Sequence, residues 1–149
     1  MPDLSLRPEL QEIVDDFAAS PKSMRLELLL DFANSLPPLP AHLADDRSGL
    51  EQVHECQTPF FVAAEPGADG RVALHFDAPP EAPTTRGYAG VLSAGLSGAT
   101  AEEILRTPSD FYTAMGLSEL ISPLRLRGMG AILVRLKRQV HERVDGDPS

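Results

Sequence analysis

Apolar residues at helical spacing predict two helices at the start of the chain. The first lies within residues 4–18, and its buried face would carry Leu10, Ile13, Val14 and Phe17. The second would begin at Ser20-Pro21, with serine as the cap and proline at the first helical position. Its apolar stripe would consist of Leu26, Leu29, Leu30, Ala33 and Leu36. Pro37-Pro38 would end this helix because proline has no amide proton and restricts the residue before it.

An alternating pattern in the middle of the chain predicts a β-hairpin. Val72, Leu74 and Phe76 alternate with other residues at the period of a half-buried strand. The two strands would span residues 59–65 and 71–77. The segment 66–70, which contains proline and glycine, would form the loop between them.

A glycine-rich helix is predicted after the hairpin, capped by Thr84 or Thr85. Its glycines are Gly87, Gly90 and Gly95. Each costs about 1 kcal/mol relative to alanine in a helix interior. Small residues retained at such a cost indicate that another segment packs closely against this helix.

Further cap signatures predict the remaining helices. Thr100 and Glu103 have the spacing of a capping box, and Thr107-Pro108 would start another short helix. Ser122-Pro123 would begin the longest helix, which runs to about Val144. The resulting order of helices, hairpin and helices predicts the α+β class, with a small antiparallel sheet packed against helices.

The composition of the chain limits where the protein can reside and what it can bind. The 149 residues are expected to form a single domain from 1 to 149, with residues 1–8 and 145–149 flexible. No window approaches the roughly 18 consecutive apolar residues of a membrane span, and no secretory signal is visible, so a cytoplasmic location is expected. The net charge of −9 opposes binding to nucleic acid and suits a partner with a basic docking face.

Cys56 is the only cysteine of the chain, so it has no internal disulfide partner. It is either a passive packing residue or a nucleophile, and its polar neighbours leave both roles open. A nucleophile needs a nearby cation to favour the thiolate, and the candidates are His54, Arg86 and Arg125. Glu55 would oppose the thiolate if its charge lay close.

Two other features of the sequence bear on its chemistry. Arg125 and Arg127 lie in the first helical turn after Ser122-Pro123, where the helix dipole disfavours cations. They are either solvated charges or ligands for an anion, a partner carboxylate or a thiolate. The four histidines are scattered and show no paired spacing around Cys56, so no metal site is expected.

Several segments in order resemble the SufE family, sulfur-acceptor proteins that partner SufS-type cysteine desulfurases. The helix ending in Leu36-Pro37-Pro38-Leu39-Pro40 is the first of them. Val53-His54-Glu55-Cys56-Gln57-Thr58 is similar to the family's Val-x-Gly-Cys-Gln-Ser segment. Pro80-Glu81-Ala82-Pro83-Thr84-Thr85-Arg86-Gly87 resembles Ser-Asp-Ala-Pro-Ile-Val-Arg-Gly. The start of the terminal helix, residues 121–129, matches as well.

The resemblance implies a SufE/IscU-like fold and a sulfur relay. Cys56 would take persulfide sulfur from a desulfurase that uses pyridoxal phosphate, and would pass it on for iron–sulfur cluster assembly. Arg125, Arg86, Glu81, Gln57 and His54 would support partner binding or the charge at the site. The chain itself would need no cofactor or metal. Its partners would be the desulfurase and an iron–sulfur scaffold complex, and the chain would act as a monomer or homodimer.

The sequence departs from the resembled family at and near the cysteine. Glu55 stands where the family usually has glycine, and Phe60 stands in place of tryptophan. Alternative readings are a regulatory adaptor of a metabolic enzyme, an acceptor for a rhodanese-like donor, and a cysteine hydrolase. Whether the chain counts as an enzyme stays open, since a carrier that activates a desulfurase is not a stand-alone catalyst.

Overall fold

The computed structural model of the chain describes residues 6–56 and 59–144. The helices in this part are α1 Pro8–Ala19, α2 Lys22–Asn34, α3 Ala41–Asp45, α4 Pro83–Leu96, α5 Ala101–Leu105 and α6 Pro123–Val144. The strands are β1 Glu51–Gln52, β2 Phe61–Pro66, β3 Arg71–Asp77 and β4 Ala99–Thr100. Short 3₁₀ helices occupy Arg47–Gly49, Phe111–Met115 and Leu117–Glu119. The α+β prediction is confirmed.

The sheet is antiparallel throughout, in the order β1-β2-β3-β4. The predicted hairpin forms its centre, with Val62 opposite Phe76. Val72, Leu74 and Phe76 are buried as their alternation predicted. The strands β1 and β4 have two residues each and were not predicted, because so short a strand shows no period.

Side chains of helix α6 form hydrogen bonds with the edge of β2 in the part of the strand that β1 does not reach. The amide of Ala64 donates to Gln139 Oε1 at 2.8 Å, and Arg143 donates to the Ala64 carbonyl at 2.6 Å. Gln139 is itself buried. Side chains of a helix thus satisfy backbone groups that a further strand would otherwise pair.

The glycines of α4 allow close helix packing, as predicted. A Cβ on Gly87 or Gly90 would collide with α2 at Leu29 or Phe32, and one on Gly95 would collide with Leu10 of α1. The backbones of these helices therefore approach each other more closely than larger residues would permit.

Several helix starts differ from the sequence-based prediction. Pro21 rather than Ser20 precedes α2, and Ala82 rather than a threonine precedes α4. The capping box at Thr100 and Glu103 is confirmed, since the Thr100 side chain accepts from the Glu103 amide at 3.2 Å. Pro123 begins α6 and Val144 ends it, as predicted.

The apolar stripe of α2 is narrower than predicted. Within α2, Leu29 and Ala33 are buried, whereas Leu26 and Leu30 are exposed at 40% and 42%. Leu36 is buried too, but the helix ends at Asn34, two residues earlier than predicted. The reason is that α2 packs mainly against α4, with Leu29 and Phe32 lying against Gly87 and Gly90 of that helix. Among the described residues, no helix combines the length and hydropathy needed to cross a membrane.

Candidate functional site

The segment between β1 and β2 carries Cys56 and is called the cysteine loop. It leaves the sheet and rejoins it at neighbouring points. Val53 and Phe60 are fully buried, and the Val53 amide donates to the Phe60 carbonyl at 2.8 Å. Inside the loop, the Cys56 amide donates to the Val53 carbonyl at 3.1 Å. The base of the loop is therefore fixed in the core. Residues 57 and 58, including the predicted site residue Gln57, lie outside the described residues.

The thiol of Cys56 is half-buried against α6. Its Sγ lies 3.9 Å from the Gly128 carbonyl oxygen, and the side chain packs on the edge of the core. A Cβ on Gly128 would come within 3.3 Å of that Sγ. Glycine at this position therefore makes room for the thiol.

A small cavity of about 90 Å³ opens beside the thiol. Its walls come from the cysteine loop, from the link before α4 with the first residues of that helix, and from the first turns of α6. The lining residues are Glu55, Cys56, Glu81, Ala82, Thr85, Leu124, Arg125 and Gly128. The structure thus brings together three of the residues predicted from sequence, Cys56, Glu81 and Arg125.

Two other predicted site residues lie apart from this cavity. Arg86 is part-buried and donates to the carbonyls of Ala33 at 3.1 Å and Ala78 at 2.7 Å, so its guanidinium ties α4 to α2 and to the end of β3. His54 is exposed, lies in a turn and does not line the cavity.

Burial and, to a smaller extent, the charge of Glu55 together raise the pKa of the Cys56 thiol to about 11. The Arg135 guanidinium acts in the opposite direction and lowers the pKa, but by less. The thiol of the resting protein is therefore protonated at neutral pH. A thiol in this state is a poor nucleophile until its surroundings change.

Arg135 is a site residue that sequence reasoning missed. Its guanidinium holds Glu51 at 2.7 Å and Glu55 at 2.7 and 3.1 Å. The hydrogen bond from Arg135 is the main reason that the pKa of Glu55 lies below its ordinary value. One signal was available: Arg135 follows Gly128 by two helical turns, so both residues lie on the same face of α6.

No group of three or more His, Cys, Asp or Glu side chains is placed to hold a metal ion in the part of the chain that the structure describes. The polar groups that the structure places around the thiol are the Glu55 and Glu81 carboxylates, the Gly128 carbonyl and the Arg125 guanidinium.

Fold and site together define an α+β protein with one sheltered thiol between a short sheet and its longest helix. The family model of the SufE, Fe-S metabolism associated domain, matches residues 11–140. An uncharacterized SufE-like protein of Mycobacterium tuberculosis is 54% identical over 93% of this chain and 95% of its own. The chain belongs to the SufE family.

Other relatives agree with this assignment. SufE-like protein 1, chloroplastic/mitochondrial, of Arabidopsis thaliana is 32% identical over 95% of this chain and 38% of its own. The solution structure of a hypothetical protein from Thermus thermophilus superposes with a TM-score of 0.84 at 42% identity, covering 95% of this chain and 99% of the other. Membership supports a sulfur-acceptor role in iron–sulfur metabolism, in a family associated with cysteine desulfurases.

Proposed function

We propose that the chain accepts sulfur on Cys56 from a SufS-type cysteine desulfurase and delivers it for iron–sulfur cluster assembly. The observation that carries this proposal is the placement of the single thiol at a small cavity beside Arg125 and Glu81, within a SufE domain. The relative in Plasmodium vivax is named cysteine desulfuration protein SufE. The cytoplasmic location expected from the sequence belongs to the same proposal.

The transfer is a thiol exchange without net oxidation. The Cys56 thiolate attacks the terminal sulfur of the donor persulfide, a new S–S bond forms on Cys56, and the donor S–S bond breaks. The donor cysteine leaves as a thiolate and takes up the proton that Cys56 loses. Because the resting thiol is protonated, the partner must expose the thiol or change the charges around it before the thiolate can attack.

Arg125 and Glu81 would contact the partner at the mouth of the cavity. Both side chains are exposed, so each can contact another protein without rearrangement of the core. The Arg125 cation would attract the incoming persulfide anion, and the Glu81 carboxylate would bind a basic group of the partner. Arg127, in the same turn, is exposed but does not line the cavity.

The test is intact-mass analysis after incubation with a SufS-type desulfurase and L-cysteine. We expect the chain to gain the mass of one sulfur atom on Cys56 and to stimulate turnover, and Cys56→Ser to do neither. Arg125→Gln should slow the transfer about tenfold, the size of one charge-assisted hydrogen bond, while Arg127→Gln controls for the lost charge.

The alternatives give different results in the same experiment. An adaptor would stimulate the desulfurase equally well as Cys56→Ser. An acceptor for a rhodanese-like donor would gain sulfur from that donor and not from the desulfurase. Absence of both added mass and stimulation with an active desulfurase would show that the proposal is wrong.

A further inference from the structure

A second and wider concavity adjoins the cavity beside Cys56. It is an open groove of about 230 Å³, and Arg125 lines both the groove and the cavity. Its walls come from α2, from the first turn of α4 and from the turn before α6. The lining residues are Leu26, Thr84, Leu120, Ile121, Ser122 and Arg125. Half of them are leucine or isoleucine, so the groove combines apolar walls with one cation.

Contacts made by α2 hold the walls of this groove in place. Arg25 donates to the Gly116 carbonyl at 3.4 Å, and Lys22 forms an ion pair with Glu119 at 3.4 Å. Both contacts tie the start of α2 to the segment that leads into the turn before α6. The groove is therefore already formed in the free protein, and a ligand that enters it does not have to order its walls.

Exposed leucines border Arg125 on both of the surfaces that it lines. Leu26 in the groove is 40% exposed, and Leu124 in the cysteine cavity is 43% exposed. Ile121 is only 6% exposed and supplies a buried floor to the groove. Covering such side chains with another protein removes apolar surface from water, which favours association.

The small size of the cysteine cavity means that a sulfur donor must also contact a wider surface. Stable protein interfaces bury about 800 Å² on each partner. The cavity has a volume of about 90 Å³ and admits only small groups. A donor that reaches Cys56 beside Arg125 therefore also covers the groove that Arg125 shares with the cavity.

Resting on the proposed function, we propose that this groove is a docking site for the sulfur-donor desulfurase, which inserts an apolar side chain against Leu26 and Ile121. The groove supplies affinity and takes no part in the sulfur exchange, so Leu26 is a docking residue and not a catalytic residue. A second copy of the chain is disfavoured as the occupant, because two chains with a net charge of −9 repel each other.

The test compares the wild type with Leu26→Ala, Leu26→Met and Leu105→Ala. Leu26→Met keeps an apolar side chain of similar volume. Leu105 is a matched control, because it is 36% exposed on α5 and lines neither the groove nor the cavity. Binding to a SufS-type desulfurase is measured by isothermal titration calorimetry, and sulfur transfer by intact mass over a range of chain concentrations. Alanine suits an exposed helical position, so the variants are expected to fold, and urea unfolding checks this.

We expect Leu26→Ala to weaken binding about tenfold, the effect of withdrawing the exposed part of one leucine side chain from an interface. The chain concentration that half-saturates the desulfurase should rise by the same factor. The transfer rate at saturation should stay unchanged, because the exchange at Cys56 does not involve Leu26. Leu26→Met should retain most of the affinity, and Leu105→Ala should match the wild type.

Wild-type affinity of folded Leu26→Ala would overturn the docking groove while leaving sulfur transfer to Cys56 intact. A lower rate at saturation with unchanged affinity would overturn it as well. A wild type that self-associates in sedimentation, with Leu26→Ala monomeric, would assign the groove to a second copy instead. A chain that binds the desulfurase through Leu26 but gains no sulfur would keep the groove and refute sulfur transfer, whereas a chain that does neither would refute both.

Discussion

The thiol of Cys56 is sheltered by its position rather than by the absence of polar groups. It sits against the Gly128 carbonyl, between the loop and α6, with the Glu55 carboxylate on the neighbouring residue. Burial and the Glu55 charge both favour the protonated form. A carrier of persulfide sulfur benefits from such shelter, because an exposed thiolate reacts with any oxidant or electrophile.

We expect alkylation of the free protein to rise about tenfold per pH unit from pH 7 to beyond pH 10, because the reactive thiolate fraction grows until the pH reaches the pKa of about 11. The same chain unfolded in urea is the control, and its rate should level off above about pH 9, as for an ordinary thiol. A folded protein whose rate levels off at the same pH as the unfolded chain would contradict the buried thiol.

At the residue scale, sequence reasoning found the side chains that carry local signals. Cys56 is unique in the chain, while Glu81 and Arg125 lie in recognisable segments, and the structure places all three at one cavity. Arg135 was not found because its partner Glu55 is 80 residues away. An ion pair at that separation depends on how α6 packs along β2, which no local pattern encodes.

At the scale of elements, the contact between α2 and α4 fixes the link that contributes to the cavity. Gly90 meets the Phe32 backbone, and Arg86 at the start of α4 reaches the Ala33 carbonyl. Since Ala82, which lines the cavity, immediately precedes α4, the position of that helix sets one wall of the site. Helix packing is thus coupled to the geometry around Cys56.

Gly90→Ala should lower the free energy of unfolding by about 3 kcal/mol, because its Cβ would meet a backbone carbonyl that cannot move without shifting α2. Gly130→Ala is the matched control in α6, where the added Cβ would lie an ordinary 3.6 Å from Tyr112 Oη. That variant should gain up to about 1 kcal/mol from helix propensity. Urea unfolding measures both, and equal stabilities of the two variants would refute the close packing.

Helices and strands that have a hydrophobic period or a cap of their own could be predicted from the sequence. Strands that form only by pairing with a neighbouring strand could not. Strand β3 matches the predicted residues 71–77, and α6 matches from Pro123 to Val144. The short strands β1 and β4 exist because β2 and β3 pair with them, so they leave no trace in local sequence. The exposure of Leu26 likewise depends on which face of α2 packs against α4.

At the scale of the whole molecule, the Glu51 network joins the middle of the chain to its last helix. Glu51 in β1 meets Arg135, Arg138 and Gln139, up to 88 residues away. The cysteine loop starts directly after β1, so this network also sets the position of the site relative to α6. Although the chain has a net charge of −9, Arg135 and Arg138 lie together here and pair with Glu51 from a distant segment.

The same network makes a pH dependence of stability predictable. Burial raises the pKa of Glu51, but hydrogen bonds from Gln139, Arg135 and Arg138 lower it by more, so the folded-state pKa lies below the ordinary 4.5. A carboxyl with a depressed pKa in the folded state stabilises the protein above the unfolded-state pKa. That contribution is lost as the pH falls through the folded-state value.

We therefore expect Glu51→Gln to reduce the free energy of unfolding at pH 7 by about 2 kcal/mol, the cost of leaving partly buried charged donors unpaired. The deficit should shrink as the pH falls below 4.5, because wild-type Glu51 then becomes protonated and loses the same interactions. Glu142→Gln, which removes an exposed partner of Arg138, should cost less than about 0.5 kcal/mol at any pH. Urea unfolding from pH 7 to pH 3 distinguishes the cases. A Glu51→Gln deficit that stays constant across this range would mean that the lost contribution is packing rather than charge, and that the network does not hold β1 to α6 electrostatically.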